Sequence, residues 1–139
     1  MLLTKTFTPE QYSRGLAFWS WMGLDGKTPV LASLFGDVFL ESSEGYWFLD
    51  TMEGSLECLW ETKAELEAEL ATQDGEDRFL LGALAMAAAS RRGLILEPDQ
   101  VYAFVPHPLL SRRFDVDTIV VQSFVVAVCL SGQLHEQTQ

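Results

Sequence analysis

Short apolar runs separated by tight turns fill residues 30–60 and constrain the fold more than any other feature. Each connection between runs has only two to four residues. Connections this short can join only neighbouring antiparallel strands, because a parallel crossover needs a dozen or more residues. The sequence therefore predicts an antiparallel meander. Its predicted strands are Val30–Leu34, Asp37–Glu41, Tyr46–Thr51 and Ser55–Trp60.

Two helix starts carry a capping box, in which a Ser or Thr caps the helix and a Glu or Gln follows three residues later. Thr8 precedes Pro9 and is followed by Gln11, which predicts a helix over about residues 9–22 that ends at Gly23. Thr62 and Glu65 form the second box and predict a short helix to about Thr72.

The C-terminal half adds further elements. A helix is predicted over Gly75–Arg92, with acidic residues at its start and Arg91-Arg92 at its end. Val101–Val105 reads as a strand, and the 3/4 spacing of polar residues in Asp117–His135 favours a helix over a strand. The fold class predicted for residues 1–139 is a single α+β domain. It has a mostly antiparallel sheet of four or five strands, with three or four helices packed on one side.

Charge is distributed very unevenly along the chain. The net charge is −11, and residues 41–77 contain twelve carboxylates and one base, Lys63, whereas the rest of the chain is neutral. DNA and anionic membranes bind basic surfaces, so neither is expected as a direct partner. An acidic surface of this kind suits a basic protein, whose association it accelerates. A plain solubilising role for the charge is the alternative.

The predicted partner-binding surface combines acidic positions with one aromatic residue. Glutamates on the predicted β-meander would form a ridge, and two more, one helical turn apart, would extend it along a helix. Trp21 lies on a different side of the first helix from Trp19 and is a candidate anchor, whereas Trp47 and Trp60 are expected in the core. The candidate residues are Glu53, Glu57, Glu61, Glu65, Glu69 and Trp21.

Motifs for catalysis or metal binding are lacking in the sequence. His107 and His135 have no Cys, Asp or His at ligand spacing, and no P-loop, GxSxG or HExxH is present. We expect no enzyme activity, no metal and no cofactor. Cys58 and Cys129 lie within apolar runs and are expected to be buried, reduced thiols. Together with the lack of a signal-peptide pattern, this predicts a cytoplasmic protein.

Five short stretches in a fixed order resemble a known family. They are Phe35-Gly36-Asp37, Trp47-Phe48-Leu49-Asp50, Gly54-x-Leu56, Val101-Tyr102-Ala103-Phe104 and Gly132-Gln133-Leu134-His135-Glu136-Gln137. Over about residues 30–137 the chain resembles the C-terminal domain of bacterial type VI secretion immunity proteins against DNase effectors, long catalogued as a domain of unknown function. The resemblance implies a non-catalytic cytoplasmic protein that binds a cognate effector tightly.

Two other functions stay open at this stage. A regulatory or scaffold module that binds a small ligand or another cytosolic protein would show a deep apolar pocket with convergent polar groups. A hydrolase would show two buried carboxyl groups about 5–10 Å apart in a cleft. The identity of the effector and the oligomeric state are not encoded in any pattern of the sequence.

Overall fold

The meander forms a five-stranded antiparallel sheet in the computed structural model, which describes residues 1–139. Its strands lie side by side in the order of the sequence, and β1 is a two-residue addition that the sequence did not predict. A separate antiparallel pair, β6 and β7, completes the α+β domain. The strands are β1 (Thr4–Lys5), β2 (Thr28–Ser33), β3 (Val38–Ser42), β4 (Gly45–Asp50), β5 (Ser55–Trp60), β6 (Gln100–Phe104) and β7 (Ile119–Ser123).

Six α-helices and two 3₁₀ segments connect these strands, more helices than predicted. Both capping boxes are confirmed, since the Thr8 and Thr62 hydroxyls accept hydrogen bonds from the N–H groups of Gln11 and Glu65. The helices are α1 (Pro9–Gly15), α2 (Lys63–Leu70), α3 (Gln73–Leu80), α4 (Gly82–Ser90), α5 (Pro108–Ser111) and α6 (Phe124–Gln137), and the 3₁₀ segments are Leu16–Met22 and Val116–Thr118. No helix has the length and apolar character needed to cross a membrane.

Helices cover both faces of the sheet, so the expectation of a one-sided sheet is wrong. Neighbouring residues of β3 point to opposite faces, and each face has its own core. Phe39 packs with residues of α2 and α3, including Leu66 and Phe79. Val38 and Leu40 pack instead with residues of α1, the first 3₁₀ segment and α6. Residues 38–40 of the central strand β3 are therefore buried and apolar on both faces.

The single helix predicted over Gly75–Arg92 is two helices, because the backbone turns at Leu81. Leu81 has a left-handed conformation, with φ of +49°. Phe79 at the end of α3 packs on the five-stranded sheet, whereas Ala85 and Ala88 of α4 pack against residues of a separate cluster that includes Tyr102. One straight helix could not bury both sets of side chains.

The segment predicted as a helix over Asp117–His135 changes type in its middle. Its β-branched beginning pairs with β6 as strand β7. Ser123 then caps α6, since its hydroxyl accepts a hydrogen bond from the Val126 N–H at 3.1 Å. Residues Ile119–Ser123 form a strand and not a helix because their β-branched side chains favour one and β6 is available to pair with them.

Neither cysteine is buried as predicted, although both are free thiols. Cys58 is exposed because β5 is the edge strand of the sheet, and Cys129 is half-buried on α6. β5 also contains a bulge at Leu59, since Tyr46 pairs with Trp60 whereas Trp47 pairs with Cys58. The bulge moves Trp60 to the face that carries Glu57, so the strict alternation expected for this strand ends there.

Candidate functional site

The edge strand β5 presents an open row of backbone groups to solvent. It pairs with β4 on one side and has no strand on the other. Outside the β4 ladder, no backbone N–H or C=O of residues 55–60 is hydrogen bonded within the chain. An unpaired edge of this kind is a ready template for another strand.

Three of the predicted glutamates flank and occupy this edge. Glu53 lies on the turn before β5, Glu57 is on the strand and Glu61 follows its end, and all three are exposed. The ends of a six-residue strand lie about 17 Å apart. The three carboxylates are therefore spread along the edge and do not form a single cluster.

Helix α2 continues the line of charge beyond the strand. The Glu65 carboxylate accepts hydrogen bonds from the N–H groups of Glu61 at 2.7 Å and Thr62 at 3.4 Å, so Glu65 is fixed beside Glu61. Glu69 follows one turn later and is half-buried. Leu66, between them, anchors the helix in the core.

These five glutamates, called the acidic edge below, carry no internal ion pair. The only salt bridge within residues 41–77 joins Lys63 to Glu67 at 3.8 Å, and both side chains are largely exposed. An exposed pair of this kind stabilises little. The negative charge of the acidic edge is therefore available to a partner.

Trp21 lies apart from the helical part of the acidic edge. It is half-buried and stacks on Trp19 with ring centroids 5.9 Å apart. It packs against the core that contains α1 and α6, whereas α2 covers the opposite face of the sheet. Trp60 is buried as expected, and Trp47 is half-buried with its indole N–H donating to the Ser42 hydroxyl at 2.8 Å.

A second polar site, which sequence reasoning did not find, lies around the turn between β4 and β5. We call it the turn network, and it links this turn to β3, α5 and α6. Its signal in the sequence was the set of family-like stretches, since Asp37, Asp50, Gly54 and His135 all lie in them. Its members are Asp37, Asp50, Thr51, His107, Ser131 and His135.

Asp37 fastens β3 to this turn. One of its carboxylate oxygens accepts from the Thr51 N–H and the Thr51 hydroxyl, both at 2.8 Å, and the other accepts from the Ser33 hydroxyl at 3.2 Å. Complete burial and the nearby Asp50 raise the pKa of Asp37 to about 7. Asp50 is engaged as well, because its carboxylate accepts the N–H groups of Met52 and Glu53 at 3.0 Å.

The two histidines, which look isolated in the sequence, meet in the fold with ring centroids 5.7 Å apart. His135 is buried, and its Nε2–H donates to the Thr51 carbonyl at 3.0 Å. His107 Nδ1 accepts the Leu109 N–H at 3.0 Å, so the proton of the neutral ring lies on Nε2, which is 2.8 Å from the Ser131 hydroxyl. Burial and the neighbouring His135 lower the pKa of His107 to about 4.

The hydrogen bonds of the turn network hold the turn between β4 and β5 against β3 and α6 and join His107, before α5, to α6. The neutral His107 donates to Ser131, whereas a general base must accept the proton of its nucleophile. Asp37 and Asp50 do line a common cavity, as the hydrolase hypothesis requires. That cavity has a volume of only about 170 Å³, and both carboxylates are occupied by hydrogen bonds from the chain itself.

Four other surface cavities have volumes of about 300–450 Å³, and two of them bear on the small-ligand hypothesis. One of about 300 Å³ lies beside His107 and Ser131 and is lined mainly by apolar side chains. Because these two residues bond each other, they do not converge on the cavity with free polar atoms. The other, of about 450 Å³, is an open groove between α1 and β2, near Tyr12 and Val30.

Comparison with known proteins identifies a shared fold. No protein-family model matches the chain, and no functionally curated protein does. The structure is similar to the crystal structure of Atu4351 from Agrobacterium tumefaciens, with a TM-score of 0.61 and 14% sequence identity. The match covers 94% of this chain and 66% of that one, so a third of Atu4351 has no counterpart here.

Proposed function

We propose that this chain is a non-catalytic binding protein of the immunity type, which neutralises a basic, nuclease-type effector of a type VI secretion system. The observation that carries the proposal is the acidic edge itself. Glu53, Glu57 and Glu61 are exposed along the free edge of β5, the other two glutamates follow on α2, and none of the five forms an ion pair. The order of the family-like stretches supports the same function, and the cytoplasm is the compartment it implies.

The chemistry of a nuclease explains why an acidic surface can inhibit it. A nuclease must hold the phosphates of its substrate, so its active-site cleft is basic. Long-range attraction brings an acidic protein to such a cleft at rates well above the ~10⁶ M⁻¹s⁻¹ of neutral pairs. A strand and a capped helix fix the backbone of this surface, so little backbone entropy is lost on binding.

The small-ligand alternative has weaker support. The cavity beside His107 is of ligand size and apolar, as such a module requires. Two of its four polar lining residues, His107 and Ser131, are bonded to each other, however, and are not free to bind a ligand with those atoms. The acidic edge, in contrast, leaves every candidate carboxylate free of an ion pair.

A charge-neutralised variant tests the proposal against the effector captured from native cells with the tagged protein. In this variant Glu57, Glu61, Glu65 and Glu69 are each changed to Gln. The fold is expected to survive, because Gln also serves at the third position of a capping box. We expect at least about tenfold weaker binding, or 1.4 kcal/mol, and matching loss of nuclease inhibition.

A matched control removes the same four charges elsewhere. Glu10, Glu97, Asp117 and Glu136 are exposed and lie outside residues 41–77. Changing them to the corresponding amides alters the net charge equally and should weaken binding by less than about threefold. Equal losses in the two variants would show that only net charge matters and would refute the acidic edge as the binding surface.

A further inference from the structure

The free edge of β5 suggests how a partner engages the acidic edge, an inference that rests on the proposed function. The five-stranded sheet has two edges, and β1 at the other edge contains only two residues. β1 pairs only with Ala32 and Ser33 of β2, so residues 28–31 are open at that edge as well, but Pro29 there has no N–H and the register shifts beside it. β5 is therefore the one strand of this sheet that is open along its whole length, and its outward backbone groups have no partner in the chain. Each such group has a hydrogen bond to gain from an added strand.

We propose that an extended, basic segment of the partner adds to β5 as a sixth strand. The charge of the edge selects this occupant, since Glu57 projects from the strand and Glu53 and Glu61 flank it. Backbone hydrogen bonds supply affinity that does not depend on the partner's side chains, and the glutamates select lysine or arginine.

The same charges oppose pairing of β5 with a second copy of itself. An antiparallel register centred on Glu57 puts Glu57 opposite its own counterpart. Like charges in opposing positions destabilise strand pairing. Charged side chains are a known defence of edge strands against self-association, and here they leave the edge open to a cationic strand only.

The side-chain pattern of the edge defines the pattern of the occupant. Glu57 shares one face of the sheet with Phe48, whereas Leu56 shares the other face with Leu49 and is half-buried there. A matching strand alternates basic residues on the side of Glu57 with aliphatic residues on the side of Leu56. The bulge at Leu59 limits regular pairing to about the four residues before it.

The probe for this proposal is the peptide acetyl-Val-Lys-Val-Lys-Val-Lys-Val-amide. Two modified peptides carry N-methyl groups on the lysines or on the valines. Alternate N–H groups of a strand point to opposite sides, so only one of these two sets can face β5. We expect one modified peptide to bind about tenfold more weakly than the parent and the other to bind within about twofold.

Amide NMR spectra locate the complex, with the parent peptide shifting the resonances of residues 55–61. The variant Glu57→Lys should weaken the parent peptide about tenfold, whereas the control Glu10→Lys should not change its affinity. Strand addition is refuted if both methylated peptides bind like the parent, if the shifts lie elsewhere, or if the parent does not bind. Such results would leave the proposed function intact, because that is tested separately by effector binding to the four Glu→Gln variant and its matched control.

Discussion

The turn network and the acidic edge lie next to each other in the chain but use carboxylates in opposite ways. Asp37 of the turn network is fully buried, and all its oxygens accept hydrogen bonds from the chain. The glutamates of the acidic edge are exposed, apart from the half-buried Glu69, and form no ion pair. The turn network contributes to the fold, whereas the acidic edge remains free for a partner.

The turn network and the acidic edge also differ in their relation to the family-like stretches of the sequence. Asp37, Asp50, Gly54 and His135 lie in the stretches that carry the family resemblance, whereas none of the five glutamates does. Part of the resemblance therefore lies in residues that hold the β4–β5 turn against α6. Specificity for one partner would reside in the acidic edge, which can vary without disturbing that turn.

The largest loss of stability is expected from Gly54→Ala, because Gly54 lies directly against His135 of the turn network. Gly54 has φ of +74°, and a Cβ there would lie 2.5 Å from His135 Nδ1. Backbone strain and the clash together should lower the free energy of unfolding by about 4 kcal/mol. Urea denaturation measures this loss.

Gly26→Ala is the matched control for that substitution. Gly26 has φ of +76°, but a Cβ would meet nothing within 4 Å. It should therefore lose only the backbone term, about 1 kcal/mol. Equal losses in the two variants would mean that the contact between Gly54 and His135 does not constrain the turn.

Asp37→Asn should change how stability depends on pH. The pKa of Asp37 is about 7 in the folded protein and 3.8 as its ordinary value. The folded state thus holds the proton more tightly, and the Asp37 contribution to stability is full below pH 4 and lost as pH rises to 7. Asn does not titrate, so the variant should gain up to about 4 kcal/mol relative to wild type between pH 4 and 7.

Urea denaturation of both proteins across this pH range checks that prediction. Asn keeps an oxygen for the Thr51 N–H and hydroxyl but loses the oxygen that accepts the Ser33 hydroxyl, a cost that does not change with pH. A constant difference between the two stability curves would show that Asp37 ionises normally in the folded protein.

His107→Asn should give a pH effect of opposite sign. The pKa of His107 is lowered from 6.5 to about 4, so its contribution to stability is full above pH 6.5 and lost as pH falls to 4. The ring is partly solvated, so about 1–2 kcal/mol is expected. The variant should gain that amount relative to wild type on acidification, and histidine NMR titration of wild type measures the pKa directly. A ring that titrates near 6.5 would contradict this account.

The smallest effect on stability is expected from the variant in which Glu57, Glu61, Glu65 and Glu69 are all Gln. These side chains contact solvent and have no ion pairs, so the free energy of unfolding should change by less than about 1 kcal/mol. Thermal unfolding followed by circular dichroism tests this. A loss of several kcal/mol would show that these glutamates stabilise the fold, as the turn network does, and would contradict this prediction.

Local patterns in the sequence predicted local structure well. The capping boxes at Thr8 and Thr62, the meander and the strand before Pro106 were confirmed, since each depends on neighbouring residues. The break at Leu81 and the change from β7 to α6 depend on which core each segment joins. Tertiary contacts determine where these segments break or change type, and the spacing of apolar residues along the sequence does not indicate it.

The acidic edge and the turn network also differ in how far the sequence could predict them. Exposure of the acidic edge could be predicted from charge alone, because isolated carboxylates are costly to bury. The turn network could not, since it joins His135 to Thr51 across 84 residues and His107 to Ser131 across 24. Its histidines have no side-chain partner within a few residues, so the spacing rules for catalytic and metal sites did not detect them.

The central claim is that the acidic edge attracts a basic effector, and stopped-flow association at increasing salt tests it most directly. We predict that wild type associates at least about tenfold more slowly at 300 mM than at 50 mM salt, and that changing Glu57, Glu61, Glu65 and Glu69 to Gln removes most of this dependence. The control changed at Glu10, Glu97, Asp117 and Glu136 should keep the wild-type slope. Identical rates and slopes for all three proteins would contradict the account.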